Sequence, residues 1–231
     1  MKKIYDDSAI SMIPCERGFI FAAIKKETDD VKISQKEGQS VIAFREHSFD
    51  TGQNSLVTKN VYLMNKFGQN FEFFANNLPD YINCKAIKLH NGNTLIVNYD
   101  GEAQIFNKST ELKWSGSLKH KGFSPADVVA DKDYVWCSYP ESNAAIKYNI
   151  NSMQQTFKIG GSASGGLSEP FGLWIAENEL IITSSATAQL LSINLDTFQA
   201  KEMVGVYEPS LQYIKVDSNE VVLTRTGIYK I

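Results

Sequence analysis

The side chains best suited to acid–base or metal chemistry near neutral pH are three histidines, His47, His90 and His120. They form no HxH or HExxH pattern, so a zinc site lacks a local motif. No GxSxG occurs, which removes the common serine-hydrolase signature. The stretch "GGSASGG", Gly160 to Gly166, lacks the lysine of a GxxxxGK(S/T) loop and a helix after it, and reads as a flexible connection rather than a phosphate cradle. The tight basic cluster "LKHKGF", with Lys119, His120 and Lys121, reads as a solvated loop. Cys15, Cys84 and Cys137 are odd in number, widely spaced and without a CxxC pair, which fits free thiols in a reducing compartment. Each borders an apolar run, so each reads as a small buried hydrophobe rather than a nucleophile.

Charge and composition narrow the field further. A formal net charge of -3, from 23 basic and 26 acidic residues, offers no electrostatic case for nucleic acid or an anionic membrane as partner. Hydrophobic residues at 43% and charged residues at 21% exclude wholesale disorder, and the 231 residues suffice for one large domain or two small ones. The opening "MKKIYDDSAI" has no apolar core of signal-peptide length, and no run approaches the ~18 apolar residues of a spanning helix. The expectation is a soluble cytoplasmic protein.

Any site must be positioned by the elements, and these repeat. Shifted by 45 residues, 124–160 falls on 169–205 without a gap: Pro125 meets Pro170, Asn149 meets Asn194, Gln154 meets Gln199 and Gly160 meets Gly205. Residue classes match as well, as in Val135 with Leu180, Ser138 with Thr183 and Ile146 with Leu191. Asn65, Asn107, Asn149 and Asn194 are spaced by 42, 42 and 45 residues, the period of a four-stranded propeller blade or of helical HEAT-like units. Within one period, "ADVVAD", "YVWCSY", "AAIKYNI" and "QQTFKIG" are short, β-branched and aromatic runs separated by turn residues, which selects strands. The recurring Asn suits the hairpin between third and fourth strands, because its side chain bonds the backbone ahead and it tolerates left-handed geometry.

Second strands are expected at "GFIFAAI", "NTLIVNY", "YVWCSY", "ELIITSS" and "EVVLTRT". The fold class predicted is all-β: a single propeller over 1–231 with five four-stranded blades, at about 9–77, 81–118, 124–161, 169–206 and from Pro209 onward. The fifth lacks an outer strand, and the N-terminal "KKIYD" is the right size to supply it and close the ring. Residues 25–58 read as an insert in blade one, with strands "VKIS" and "SVIAFRE" about the turn "KEGQ" forming a projecting hairpin arm. The alternative is a sixth blade, which needs eight strands between residues 9 and 77, where about six are present.

The line "FSPADVVADKDYVWCSYPESNAAIKYNI" resembles an NHL or YVTN-type propeller repeat, with Pro125, Asp131, Val135, Asn143 and Ile146 at the pattern positions. Pro170, Glu177, Leu180 and Leu191 match in the next blade, where Ala188 replaces the Asn; Pro209, Asp217 and Val222 match in the last. The resemblance covers about residues 79–231. No "WD" ends a third strand and no "GH" opens a blade, so WD-repeat propellers are a poorer match.

Propellers bind where the D-to-A and B-to-C loops converge at one mouth of the channel. Those loops supply Tyr99, Asp100, Lys121, Phe123, Tyr139, Glu141, Asn143, Glu169, Phe171, Glu208 and Arg225, a mixture of aromatics and charges that suits a protein or peptide ligand. The function expected is a non-catalytic binding or scaffolding module, with no cofactor and with the 25–58 insert as a route to oligomers. The second reading is by fold analogy. Propellers of the gluconolactonase or regucalcin type hold a divalent cation over the channel and hydrolyse lactones. By that analogy the chain would be a metal-dependent hydrolase or lyase, with Asp127, Asn143, Glu169 and Glu208 as candidate hard oxygen ligands for calcium, though they match no motif of that family residue by residue. Trp114, Trp136 and Trp174 are expected to pack between blades.

Overall fold

The computed structural model describes residues 1–7, 9–25, 41–56, 85–98, 100–161, 166–203 and 206–231. Among them the chain forms five four-stranded antiparallel sheets arranged as a five-bladed propeller. Blade one is β2 (Ala9–Cys15), β3 (Gly18–Lys25), β4 (Val41–Ser48) and β5 (Asn54–Leu56). Blade two is β6 (Lys85–Lys88), β7 (Thr94–Val97), β8 (Glu102–Phe106) and β9 (Leu112–Ser117). Blade three is β10 (Asp127–Asp131), β11 (Tyr134–Tyr139), β12 (Ala144–Asn149) and β13 (Gln155–Gly160). Blade four is β14 (Pro170–Ala176), β15 (Glu179–Ser184), β16 (Leu190–Asn194) and β17 (Ala200–Met203). Blade five takes β18 (Ser210–Val216), β19 (Asn219–Thr224) and β20 (Ile228–Lys230) from the C-terminus, and its outer strand β1 (Lys2–Tyr5) from the N-terminus. The expected closure by "KKIYD" is therefore present, with Lys2 opposite Lys230 and Lys3 opposite Tyr229.

The recurring Asn has the role its chemistry suggested. Asn149 Oδ1 accepts the amides of Asn151 and Ser152, Asn194 Oδ1 those of Asp196 and Thr197, and Asn107 Oδ1 those of Ser109 and Glu111. Each side chain thus replaces backbone partners that a tight turn cannot supply. One later residue in each turn is left-handed: Thr110, Met153 and Phe198.

Blade one departs from the sequence reading. Val41–Ser48, the "SVIAFRE" strand assigned to a projecting arm, pairs with β3 from Gly18 opposite Ser48 to Lys25 opposite Val41. β4 and β5 are therefore the third and fourth strands of the blade, within the segment assigned to the arm. The turn between them explains the difference. Ser48 N–H donates to Gln53 and Gly52 N–H donates to Ser48, the bonds that Asn149 makes with Gln154 and Met153. "SFDTGQ" is thus the blade-one copy of "NINSMQ" and "NLDTFQ", with Gly52 supplying the positive φ. A Ser in place of the Asn concealed it. The strand "VKIS", Asn65 and the later strands assigned to 59–77 lie outside the described residues.

Blades bury both faces against their neighbours, which is why inner and middle strands are apolar on both sides. Ile87, Leu95 and Ile105 of blade two meet Val135, Cys137 and Ile146 of blade three. Trp136 and Ala145 meet Leu173, Leu180 and Ile193 across the next junction. Phe19 and Phe21 meet Ile214, Val221 and Leu223 where blade one closes on blade five. There Gln212 bonds both backbone groups of Met12: its Oε1 accepts the Met12 N–H at 2.7 Å and its Nε2 donates to the Met12 carbonyl at 2.8 Å. An amide side chain thereby completes the free edge of an inner strand. Trp114, Trp136 and Trp174 all lie in strands and pack in the inter-blade clusters, as expected.

Candidate functional site at the loop face

Among the described residues, alternation of strand direction places the B-to-C turns and the D-to-A connections at one end of their blades. The first link of a continuous structure there is Asn143. It follows a 3-10 turn, Pro140–Ser142, and is left-handed at φ 50°, which Asn tolerates better than most residues. Its Oδ1 accepts the Glu169 N–H at 2.8 Å, and its carbonyl accepts the Gly161 N–H. Glu169 Oε2 then accepts the Ser185 hydroxyl at 2.9 Å, while the Glu169 carbonyl accepts the Ser185 N–H. The B-to-C turn of blade three, the D-to-A connection and the B-to-C turn of blade four are thus tied in sequence. Asn143 and Glu169 meet here, with their polar groups serving the loops. Glu141 stands exposed beside them.

Asp127 does other work. It is buried at the head of β10, where its Oδ2 accepts the Leu173 N–H of blade four at 2.9 Å. Its Oδ1 takes the Val128 N–H and pairs with the Lys85 ammonium of blade two. One carboxylate therefore joins three inner strands, and both its oxygens are engaged. Glu208, in the connection leading into blade five, is held by the Thr226 hydroxyl, 2.8 Å from each of its oxygens. Burial works against its charge, but bonds from Thr226, Tyr229 and Thr224 keep its carboxyl below the ordinary value. Among the described residues no three His, Cys, Asp or Glu side chains converge to hold a metal ion.

Tyr139 is corrected from mouth residue to core residue. It is fully buried between blades two and three, where its hydroxyl donates to the Leu118 carbonyl and lies 3.1 Å from the Tyr148 hydroxyl. Burial pushes the phenol far above its usual range. The reason is register: Tyr139 shares the inward face of β11 with Val135 and Cys137. His120 is likewise no freely solvated loop residue. Its ring packs 5.4 Å from Tyr139, and burial, then Lys121 and Lys158, lower its pKa. Phe171 is half-buried, and its carbonyl accepts the Ser138 hydroxyl.

Asp100, Lys121 and Arg225 are exposed on the loop face, and Phe123 joins them at 43% exposure. Tyr99 lies outside the described residues. Sequence reasoning missed Tyr207, which is 97% exposed in the connection to blade five. The signal was its position beside Glu208 in a D-to-A loop. A cleft of about 170 Å³ lined by Leu167, Pro170, Ser184, Gln189 and Leu191 opens near the Asn143–Glu169 link. Most of that space is open to solvent, and the enclosed part has room for about one water, far short of the roughly 300–1,000 Å³ of drug-sized ligand sites.

No family model matches the chain, and no curated protein is similar to it in sequence. Among solved structures it is similar to the computationally designed Ika4 protein, at a TM-score of 0.44 and 14% identity over 60% of this chain and 85% of that one. It is similar to hydrazine synthase of Kuenenia stuttgartiensis at a TM-score of 0.46 and 10% identity, over 63% of this chain and 48% of that one. A variant of KlHsv2 with loop 6CD replaced by a Gly-Ser linker gives a TM-score of 0.39 and 7% identity, over 61% and 44%. The chain thus spans less than half the length of two of these three.

Proposed function

We propose that this chain is an NHL/YVTN-like propeller acting as a non-catalytic binding or scaffolding module, and that it contacts a protein or peptide through the loop face. The supporting observation is the pairing of exposed aromatics with a braced polar framework. Tyr207 and Phe123 project from D-to-A connections, while hydrogen bonds through Asn143, Glu169 and Ser185 tie neighbouring loops to one another. Phe123 is itself held by paired backbone bonds with His120, and Tyr207 adjoins Glu208, which Thr226 fixes. Aromatic anchors on loops so held lose little entropy on association and are the residue types that dominate interface energetics. Glu141 and Glu169, both exposed, favour a partner segment carrying basic residues. The placement of Asp131 at an inner-strand turn and Asn143 at the B-to-C turn supports the repeat type.

The test is affinity capture with the full-length chain and with a Tyr207→Ala, Phe123→Ala double variant. Partners retained by the wild type and lost by the variant, with unchanged circular dichroism and melting temperature, support the reading. Equal capture by both places binding elsewhere and overturns it.

A further inference from the structure

A second polar chain runs along the outer side of the ring closure, away from the loop residues above. His47, on β4, is 5% exposed and packs 5.2 Å from the Phe19 ring and 5.4 Å from the Phe49 ring. Its Nδ1 lies 2.9 Å from Asn54 Oδ1, on the adjacent strand β5. Asn54 Nδ2 donates to the Ile4 carbonyl at 3.1 Å. Ile4 belongs to the closing strand β1, at the irregularity between Lys3 and Tyr5 where it drops out of the ladder with β20. Because the Asn54 nitrogen is committed to Ile4, its oxygen faces His47, whose Nδ1 therefore carries the hydrogen. In the neutral ring Nε2 is bare.

We propose that His47 is an acid-sensitive latch on the ring closure: protonation at Nε2 puts a charge in this apolar site and drives the ring out of it, which leaves Asn54 without the partner that fixes it on Ile4 and loosens the N-terminal strand. The imidazolium would sit buried between two phenyl rings, with β3 supplying Phe19 and the turn after β4 supplying Phe49. The charged groups acting on it are Lys2 from β1 and Lys230 from β20, both cations. Lys230 also lies over the Phe49 ring, so it is held close. Burial, then these lysines, lower the ring's pKa below 6.5, against a smaller raising effect of the Asn54 bond. Protonation is therefore easier once the latch has opened. The stabilising contact is complete above the ordinary histidine value and is lost as pH falls through it toward the folded-state value. β1 is the strand to respond, since only Lys2, Lys3 and Tyr5 register with the short β20.

The experiment is amide hydrogen exchange on the full-length chain between about pH 7.5 and about pH 5.5, corrected for intrinsic rates. Exchange at β1 is expected to rise by roughly tenfold or more in the wild type and to stay flat in His47→Gln. Unchanged protection in the wild type, or the same rise in His47→Gln, overturns the latch. If His47→Gln does not fold, NMR titration of the wild type decides. A β1 amide midpoint coincident with the His47 ring supports the proposal, and one coincident with His90 or His120 instead rules it out.

Discussion

Asp127 on the inner strand of blade three accepts the backbone N–H of Leu173 on the inner strand of blade four at 2.9 Å, while holding the ammonium of Lys85 on blade two. A buried carboxylate so placed stabilises only while its partners remain, because each is desolvated with it. Asp127→Ala is expected to cost about 2–4 kcal/mol in denaturant unfolding, since it strands two amides and a cation. Lys85→Met should cost less, its side chain being 37% exposed and its charge partly screened. A loss below ~1 kcal/mol for Asp127→Ala would remove the bridge from the account of ring stability.

Gly172 sits one blade on from Asp127, where the backbones of blades four and five approach closely. A Cβ there would meet the Leu211 carbonyl oxygen at 2.5 Å, Gln212 Cα at 2.9 Å and Thr183 Oγ1 at 2.9 Å. Two of these are backbone atoms with little freedom to move. Gly172→Ala should therefore destabilise by about 1–3 kcal/mol as overpacking, measured by the unfolding midpoint. A neutral result would show that the blade junction gives way.

Gln212 is the corresponding connector between blades five and one. Gln212→Leu keeps the volume but removes both bonds to Met12, and an expected loss of about 1–3 kcal/mol follows from the two unpaired backbone groups. Gln212→Glu should also be destabilising, because the carboxylate retains the acceptor for the Met12 N–H but faces the Met12 carbonyl with no donor. Wild-type unfolding midpoints in both variants would contradict this.

Cys137 lies wholly within the junction of blades two and three, and burial raises its pKa to about 12. The thiolate is the reactive form, so the folded protein at mildly alkaline pH should leave Cys137 unalkylated by iodoacetamide. Mass spectrometry should find it modified only as denaturant opens the blades. Rapid modification in native buffer would mean that this junction opens locally.

Removal of residues 1–7 strips β1 from blade five and with it the Asn54–Ile4 bond. The loss in melting temperature should far exceed that of a frayed terminus, and the uncovered β20 edge should raise the tendency to aggregate. A truncated chain that melts like the full-length protein would show that the ring closes without its N-terminal strand.

The repeat, the strand class, the second strand of each blade and the N-terminal closure were legible in the sequence. Each depends on local period and turn chemistry, as the Asn149 and Asn194 turns show. Blade one was misread because Ser48 and Gly52 fill that turn without the marker residue, and the same geometry has more than one sequence solution. At the loop face the sequence could name candidates but not their direction. Tyr139 turned inward by the alternation of β11, and Asp127 turned sideways to a strand 46 residues away. Tyr207 emerged as the most exposed large hydrophobic side chain among the described residues. Sequence period determines which residues share a strand and a turn. Only the closed ring decides which of them face solvent, because that depends on the neighbouring blade, whose approach no local spacing encodes.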